Sequence, residues 1–251
     1  MNIGRIIETF ADYVGKYDTY DINICLKVNH SYRVMSLCDR IAQSLDFSDS
    51  DIDLAIVIGI LHDYARFEQW DKYKTFSDSA SVDHGDLAVK RLFEDNEIEK
   101  FNIPIEYYET IYNAIKYHNK LDYPKNISER DLMFCKLIKD ADKLDIFYLI
   151  SQGTIKVYDD DRNISKCINN DFYENKLSKR ESIKTDNDRI IFYLNMMYDL
   201  NFKYSYKYIK ENNLIQSIFS LINKKERFVD YFNYIDDYVE ERSKEYVRKK
   251  I

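Results

Sequence analysis

Apolar side chains recur at intervals of three and four along most of this chain, the spacing of amphipathic helices. Ile3, Ile6, Ile7, Phe10 and Val14 set out a first helix over residues 2 to 15. Val34, Leu37, Ile41 and Leu45 mark a second over 29 to 45, and one turn before Val34 the same stripe ends on His30. Ser48-Asp49-Ser50-Asp51 supplies capping residues ahead of Leu54–Leu61. That segment is apolar all round and reads as a buried central helix, although its β-branched content leaves a strand open. It runs directly into His62-Asp63. Asp83-His84-Gly85-Asp86 reads as a helix start, with Ala88 and Leu92 following His84 at steps of four. Residues 106 to 118 place Ile111, Ile115 and His118 on one face, and residues 130 to 150 place Ile138, Asp142, Ile146 and Leu149 on one face. In three of these helices a ligand-type side chain interrupts or ends an apolar stripe. Such a group needs a partner, because burying an unpaired charge is costly.

Beyond about residue 152 the pattern turns more polar, with Asp159-Asp160-Asp161-Arg162-Asn163 and Ser178-Lys179-Arg180-Glu181-Ser182, and helices are expected near 187 to 200, 203 to 222 and 225 to 248. The last ends in Arg248-Lys249-Lys250, which suits a helix C-terminus. Only 5 Gly and 2 Pro occur in 251 residues, too few for a β fold that turns every ten residues or so. The expected class is all-α: a helical core over residues 1–152 and a helical extension over 153–251 packed on it, which could serve as a lid or as a surface for homo-oligomers.

Composition narrows the surroundings of such a core. Hydrophobic residues at 45% and charged residues at 32% describe a chain that folds. No run approaches the roughly 20 apolar residues of a membrane helix, and the first residues carry charge where a signal peptide carries its apolar stretch, so a cytoplasmic protein is expected. The four cysteines, Cys25, Cys38, Cys135 and Cys167, are widely separated and read as reduced thiols. A net charge of -7 argues against general nucleic-acid binding while allowing a local basic pocket for a small phosphorylated substrate.

Candidate chemistry centres on the histidines. There are only four, His30, His62, His84 and His118, each on a core-facing position or at a helix end within the first 118 residues. Imidazole nitrogens combined with aspartate oxygens suit Mn, Fe, Co, Ni or Zn better than Mg or Ca. Four His and two Asp are enough for two ions that share a bridge.

The order His30, then His62-Asp63 within Ile60-Leu61-His62-Asp63-Tyr64-Ala65-Arg66-Phe67-Glu68, then Asp142 within Asp140-Ala141-Asp142-Lys143-Leu144-Asp145, resembles the HD-domain superfamily of metal-dependent phosphohydrolases. The likeness spans about residues 25 to 150. It implies an HD-type helical bundle in which those four residues hold a first metal. His84 and His118 resemble the two further histidines of dinuclear members, with Asp63 as the bridge. Asp142 is preferred to Asp140 and Asp145 because it follows Ala141 and precedes Lys143-Leu144 as in the family; Asp145, on nearly the same face, suits a supporting role. The implied reaction is hydrolysis of a phosphoester by a metal-activated water, centred on His62 and Asp63. Arg66, one turn past His62, is either a phosphate clamp or half of a surface ion pair with Glu68 or Asp71. Lys116 is assigned to solvent and Lys143 is a candidate phosphate contact. Tyr64, Phe67, Trp70 and Tyr117 could stack on a base, with a core or surface role as the default. Two other readings share the pattern: an HD-type mixed-valent di-iron oxygenase, and a non-catalytic effector-binding protein on the same fold. A small nucleotide is the expected substrate, though no residue reads out a base or a sugar.

Overall fold

The computed structural model describes residues 1–244, and among these the chain is helix and connecting loop, with no β-strand. It divides into two compact units, Met1–Ala141 and Asp142–Ile251. The division falls within a single long helix.

In the first unit, α1 (Ile3–Val14) begins on Asn2, whose side chain accepts the Arg5 amide, and buries Ile6, Phe10, Tyr13 and Val14. Helix α2 (Ile22–Ser44) starts seven residues earlier than its apolar stripe predicts. The extra turns are capped by Asp21, which accepts the Asn23 amide at 2.8 Å, and they leave Ile22 and Leu26 exposed. His30 therefore lies within a helix and not at its end. Ser48 caps α3 (Asp49–Leu61), whose residues Leu54, Ala55, Val57, Ile58, Gly59, Ile60 and Leu61 are all buried, so the uniformly apolar segment is the central helix.

Helices α2 and α3 pack extensively on each other, and Gly59 is a point of close approach between them. A Cβ at Gly59 would stand 2.8 Å from Met35 Cα and 2.9 Å from Cys38 Sγ. After a short turn, α4 (Arg66–Tyr73) packs on α2. Next, α5 (His84–Val89) is capped by Asp83 and packs on α6 (Tyr108–Tyr117), which also touches α3. Gly85 permits the α5–α6 approach, since a Cβ there would lie 2.8 Å from Asn119 Oδ1. Helix α7 (Glu129–Ser151) leaves the first unit at Ala141 and is followed by Gly153, whose φ of 66° is a left-handed stop.

The second unit continues through α8 (Lys166–Tyr173), α9 (Asp186–Asn195), α10 (Lys203–Glu211), α11 (Leu214–Ser220) and α12 (Val229–Lys244). Helix α8 has no counterpart in the expected helices. The helix expected over 203 to 222 is two, broken at Asn212 and Asn213, where Asn213 adopts φ 50°. Asparagine tolerates that left-handed conformation better than most residues, which makes it a stop signal that apolar periodicity does not register. Buried Asp188 ties α9 to the preceding loops by accepting from the Ser165 amide and hydroxyl, both at 2.7 Å, and from the Lys184 and Thr185 amides. The basic run Arg248-Lys249-Lys250 lies outside the described residues. No helix among the described residues is long and apolar enough to cross a membrane. Cys38 and Cys135 are buried thiols, while Cys25 and Cys167 are exposed.

Candidate metal centre

Two of the histidines are presented by the same local device. His62 follows the last residue of α3, and its Nδ1 donates to the Gly59 carbonyl at 2.7 Å. His118 follows the last residue of α6, and its Nδ1 donates to the Ile115 carbonyl at 2.6 Å. Carbonyls at the end of a helix have lost their intrahelical partners, and an imidazole N–H satisfies one of them. A carbonyl can only accept, so both rings carry a proton on Nδ1 and turn Nε2 away from the helix. His84 reaches the same state differently, because its Nδ1 donates to Asp78 Oδ2 at 2.6 Å. Burial also pushes the His84 pKa down to about 4, so the ring is neutral at pH 7.

These orientations bring the side chains together in pairs. His30 Nε2 lies 3.2 Å from His62 Nε2, and His84 Nε2 lies 2.9 Å from His118 Nε2. Asp63 stands between the pairs. Its Oδ2 is 3.4 Å from His30 Nε2 and 3.6 Å from His62 Nε2, while its Oδ1 is 3.5 Å from His84 Nε2 and 3.8 Å from His118 Nε2. His30, His62 and Asp63 form one buried group of ligand atoms, and Asp63, His84 and His118 form a second.

The donor set fits a metal. In the His84–His118 pair both Nδ1 protons are already committed, so with both rings neutral two lone pairs confront each other at 2.9 Å. That contact is repulsive unless a cation lies beside both. Two nitrogens about 3 Å apart are also spaced as neighbouring ligands on an ion roughly 2.1 Å from each. Each buried His/Asp group could thus hold a divalent metal, and Asp63 has one oxygen to offer each.

Four residues that the sequence reading did not single out complete the surroundings. Lys27 Nζ contacts Asp63 Oδ2 at 2.6 Å. Asp78, in the loop before α5, binds His84 and also receives Arg66 Nη1 and Gln69 Nε2, both at 3.0 Å, on its other oxygen. Gln69 is fully buried and further donates to Ser81 Oγ and the Val82 carbonyl, which pins that loop to α4. Asn119 Nδ2 donates to Asp78 and Asp83, each at 3.2 Å. Lys27 carried a readable signal, since it precedes His30 by three and so shares its helix face. Asp78, in the run Phe76-Ser77-Asp78-Ser79, looks like any loop aspartate.

Burial alone would raise the Asp63 pKa, but Lys27, His62 and Arg66 hold the carboxyl well below the usual range. Asp78 is likewise held low against burial by the His84 hydrogen bond and the Arg66 charge. Arg66 makes neither surface pair considered from the sequence. Its Nε lies 3.3 Å from Asp63 Oδ1, and Nη1 donates to Gln69, the Phe76 carbonyl and Asp78. Glu68 pairs instead with Arg91 and Lys72, and Asp71 with Lys74. Tyr64 and Phe67 are core side chains, Tyr64 stacking on Tyr13 at 3.8 Å. Lys116 donates to the Tyr112 hydroxyl at 2.9 Å, and Lys143 pairs with Asp199 at 2.8 Å. Asp142 is half-buried on α7 at the start of the second unit, while Asp140 and Asp145 are buried.

Asp78 should matter because it sets which nitrogen of His84 is bare. Replacing it by Asn puts an amide beside Nδ1 that can donate, which would favour the opposite tautomer. Asp78→Asn is expected to weaken metal binding at the His84–His118 pair by about 10- to 100-fold, as for other partners that orient ligating histidines. A metal titration that resolves stoichiometry checks this, and unchanged binding would remove the orienting role.

The family model described as the HD domain matches residues 28–146 of the chain. No curated protein and no solved structure matches it. The matched segment contains all four histidines, Asp63 and Asp142.

Proposed function

Because residues 28–146 are an HD domain, a family whose members are in general metal-dependent phosphohydrolases, we propose that this chain hydrolyses a phosphoester of a small phosphorylated metabolite, in the first place a nucleotide. His30, His62 and Asp63 would hold one divalent transition metal, and Asp63, His84 and His118 a second. The observation that carries the reading is the placement of Asp63, whose two oxygens face two different imidazole pairs.

Bound cations of this kind supply a hydroxide-like water and neutralise charge on a phosphoryl group. The protein's part is orientation. Asp63, held well below the usual carboxylate range, is a poor base at neutral pH, so its role is to stay charged and in place. Nδ1 bonds to Gly59, Ile115 and Asp78 keep three Nε2 atoms aimed at common points. Arg66 is anchored through Nε and Nη1, and among the described residues its Nη2 has no hydrogen-bond partner. That atom is available for a phosphoryl oxygen.

The test is metal analysis of the purified protein together with a screen of phosphomonoesters, phosphodiesters and nucleotides under Mn, Co, Ni and Mg. Phosphate or p-nitrophenol should be released with bound metal, lost on chelation and restored on adding metal back. A protein that retains no metal and releases nothing under any of these conditions would end the proposal. Oxygen uptake without hydrolysis would favour an oxygenase in its place.

A further inference from the structure

Lys27 is the cation closest to the carboxylate at the heart of this site, and no motif points to it. We propose that Lys27 receives the anionic group of the substrate, a phosphoryl-type oxyanion, once Asp63 is engaged by metal. The proposal rests on the phosphohydrolase reading and extends it to one residue.

Three observations carry it. First, the ammonium sits on Asp63 Oδ2, the same oxygen that faces His30 and His62. A cation held by that oxygen and the two imidazoles takes over the charge that Lys27 now neutralises. Second, Asp63 is the only carboxylate paired with Lys27 among the described residues. Arg66 differs, because Asp78, Gln69 and the Phe76 carbonyl keep it anchored whatever Asp63 does. An ammonium that loses its one carboxylate partner beside a buried centre needs another anion or water. Third, the Lys27 side chain is 19% exposed against 3% for Asp63, so Lys27 is the more solvent-accessible member of the pair. The Phe76 ring, 5.4 Å from Lys27 Nζ and 5.8 Å from Arg66 Cζ, gives both cations a shared surface to rest against. An incoming oxyanion would therefore meet a movable ammonium and a fixed guanidinium together.

The alternative is that Lys27 merely neutralises Asp63 and never meets substrate. Site-resolved acetylation of the full-length protein, read by mass spectrometry, separates the two. Loading with Mn2+ should raise the reactivity of Lys27, and inorganic phosphate should lower it again. In calorimetry on Mn2+-loaded protein, Lys27→Gln should keep the metal stoichiometry and bind inorganic phosphate about tenfold more weakly or worse, while Lys27→Arg stays within about threefold of the parent. If metal binds and phosphate leaves Lys27 reactivity unchanged, or if Lys27→Gln binds phosphate as the parent does, this inference is wrong and the hydrolase reading stands. Should Lys27→Gln fail to fold, the labelling of the unmodified chain decides alone. A protein that takes up no metal overturns both.

Discussion

Asp63→Ala is expected to abolish phosphoester hydrolysis, by about three orders of magnitude or more, which corresponds to on the order of 4 kcal/mol of lost transition-state stabilisation. The size follows from the position of the residue. Losing any one histidine would remove a ligand from one group, whereas losing Asp63 removes an oxygen from both. It also leaves the ammonium of Lys27 without its carboxylate and deprives Arg66 of one of two. Metal analysis should show loss of bound ion from the His30–His62 pair and from the His84–His118 pair together. Asp63→Asn separates charge from shape: it keeps the volume, so the helical circular dichroism should persist while metal is lost. A variant that keeps full metal content and activity within about tenfold of the parent would show that the carboxylate is not shared.

The largest expected effect on stability belongs to Gly59. Glycine in a helix interior costs about 1 kcal/mol relative to alanine, so its presence in the central helix calls for a packing reason. The reason is the backbone of α2, which leaves a Cβ at Gly59 only 2.8 Å from Met35 Cα. Overpacking of this kind costs about 1–3 kcal/mol, and a branched side chain that meets backbone belongs at the top of that range. Gly59→Val should therefore lower stability by about 3 kcal/mol, or roughly 6–12 °C in Tm for a chain of this size. The damage should not stop at stability. Helix α2 carries His30 and Lys27, and the Gly59 carbonyl holds the His62 ring, so pushing the helices apart also spoils the His30–His62 pair. Thermal melts and metal titration of the same variant check both effects. A melting temperature within about 2 °C of the parent would mean that the contact is soft.

Much of this protein was legible in its sequence, and what was legible shares a cause. The helices α1, α3, α6 and α7 are written in apolar spacing because each buries one face or, for α3, nearly all of Leu54–Leu61. His62 and His118 stood out because they end such stripes, where an imidazole can take a carbonyl that the helix has abandoned. The early turns of α2, the break at Asn213 and the short α8 escaped, because caps and left-handed residues act through single hydrogen bonds or one backbone angle and leave no periodic mark. Asp78, Gln69 and Asn119 escaped for a related reason. Their partners lie on other segments, and a polar side chain gives no sign of its partner until the chain is folded.

By itself, then, the sequence determined that the chain is helical, that about residues 25 to 150 resemble the HD-domain superfamily, and which imidazoles and carboxylates were worth considering together. Only the tertiary structure decided that residues as distant as 30 and 118 share one small volume, that Asp63 turns one oxygen to each histidine pair, and that Lys27 and Arg66 flank it. The physical division is between local and long-range terms. Burial of a helix face repeats every three or four residues and can be read along the chain, whereas the distance between two ligand atoms on different helices is set by how those helices pack, at contacts such as Gly59 against Met35 that no local pattern encodes.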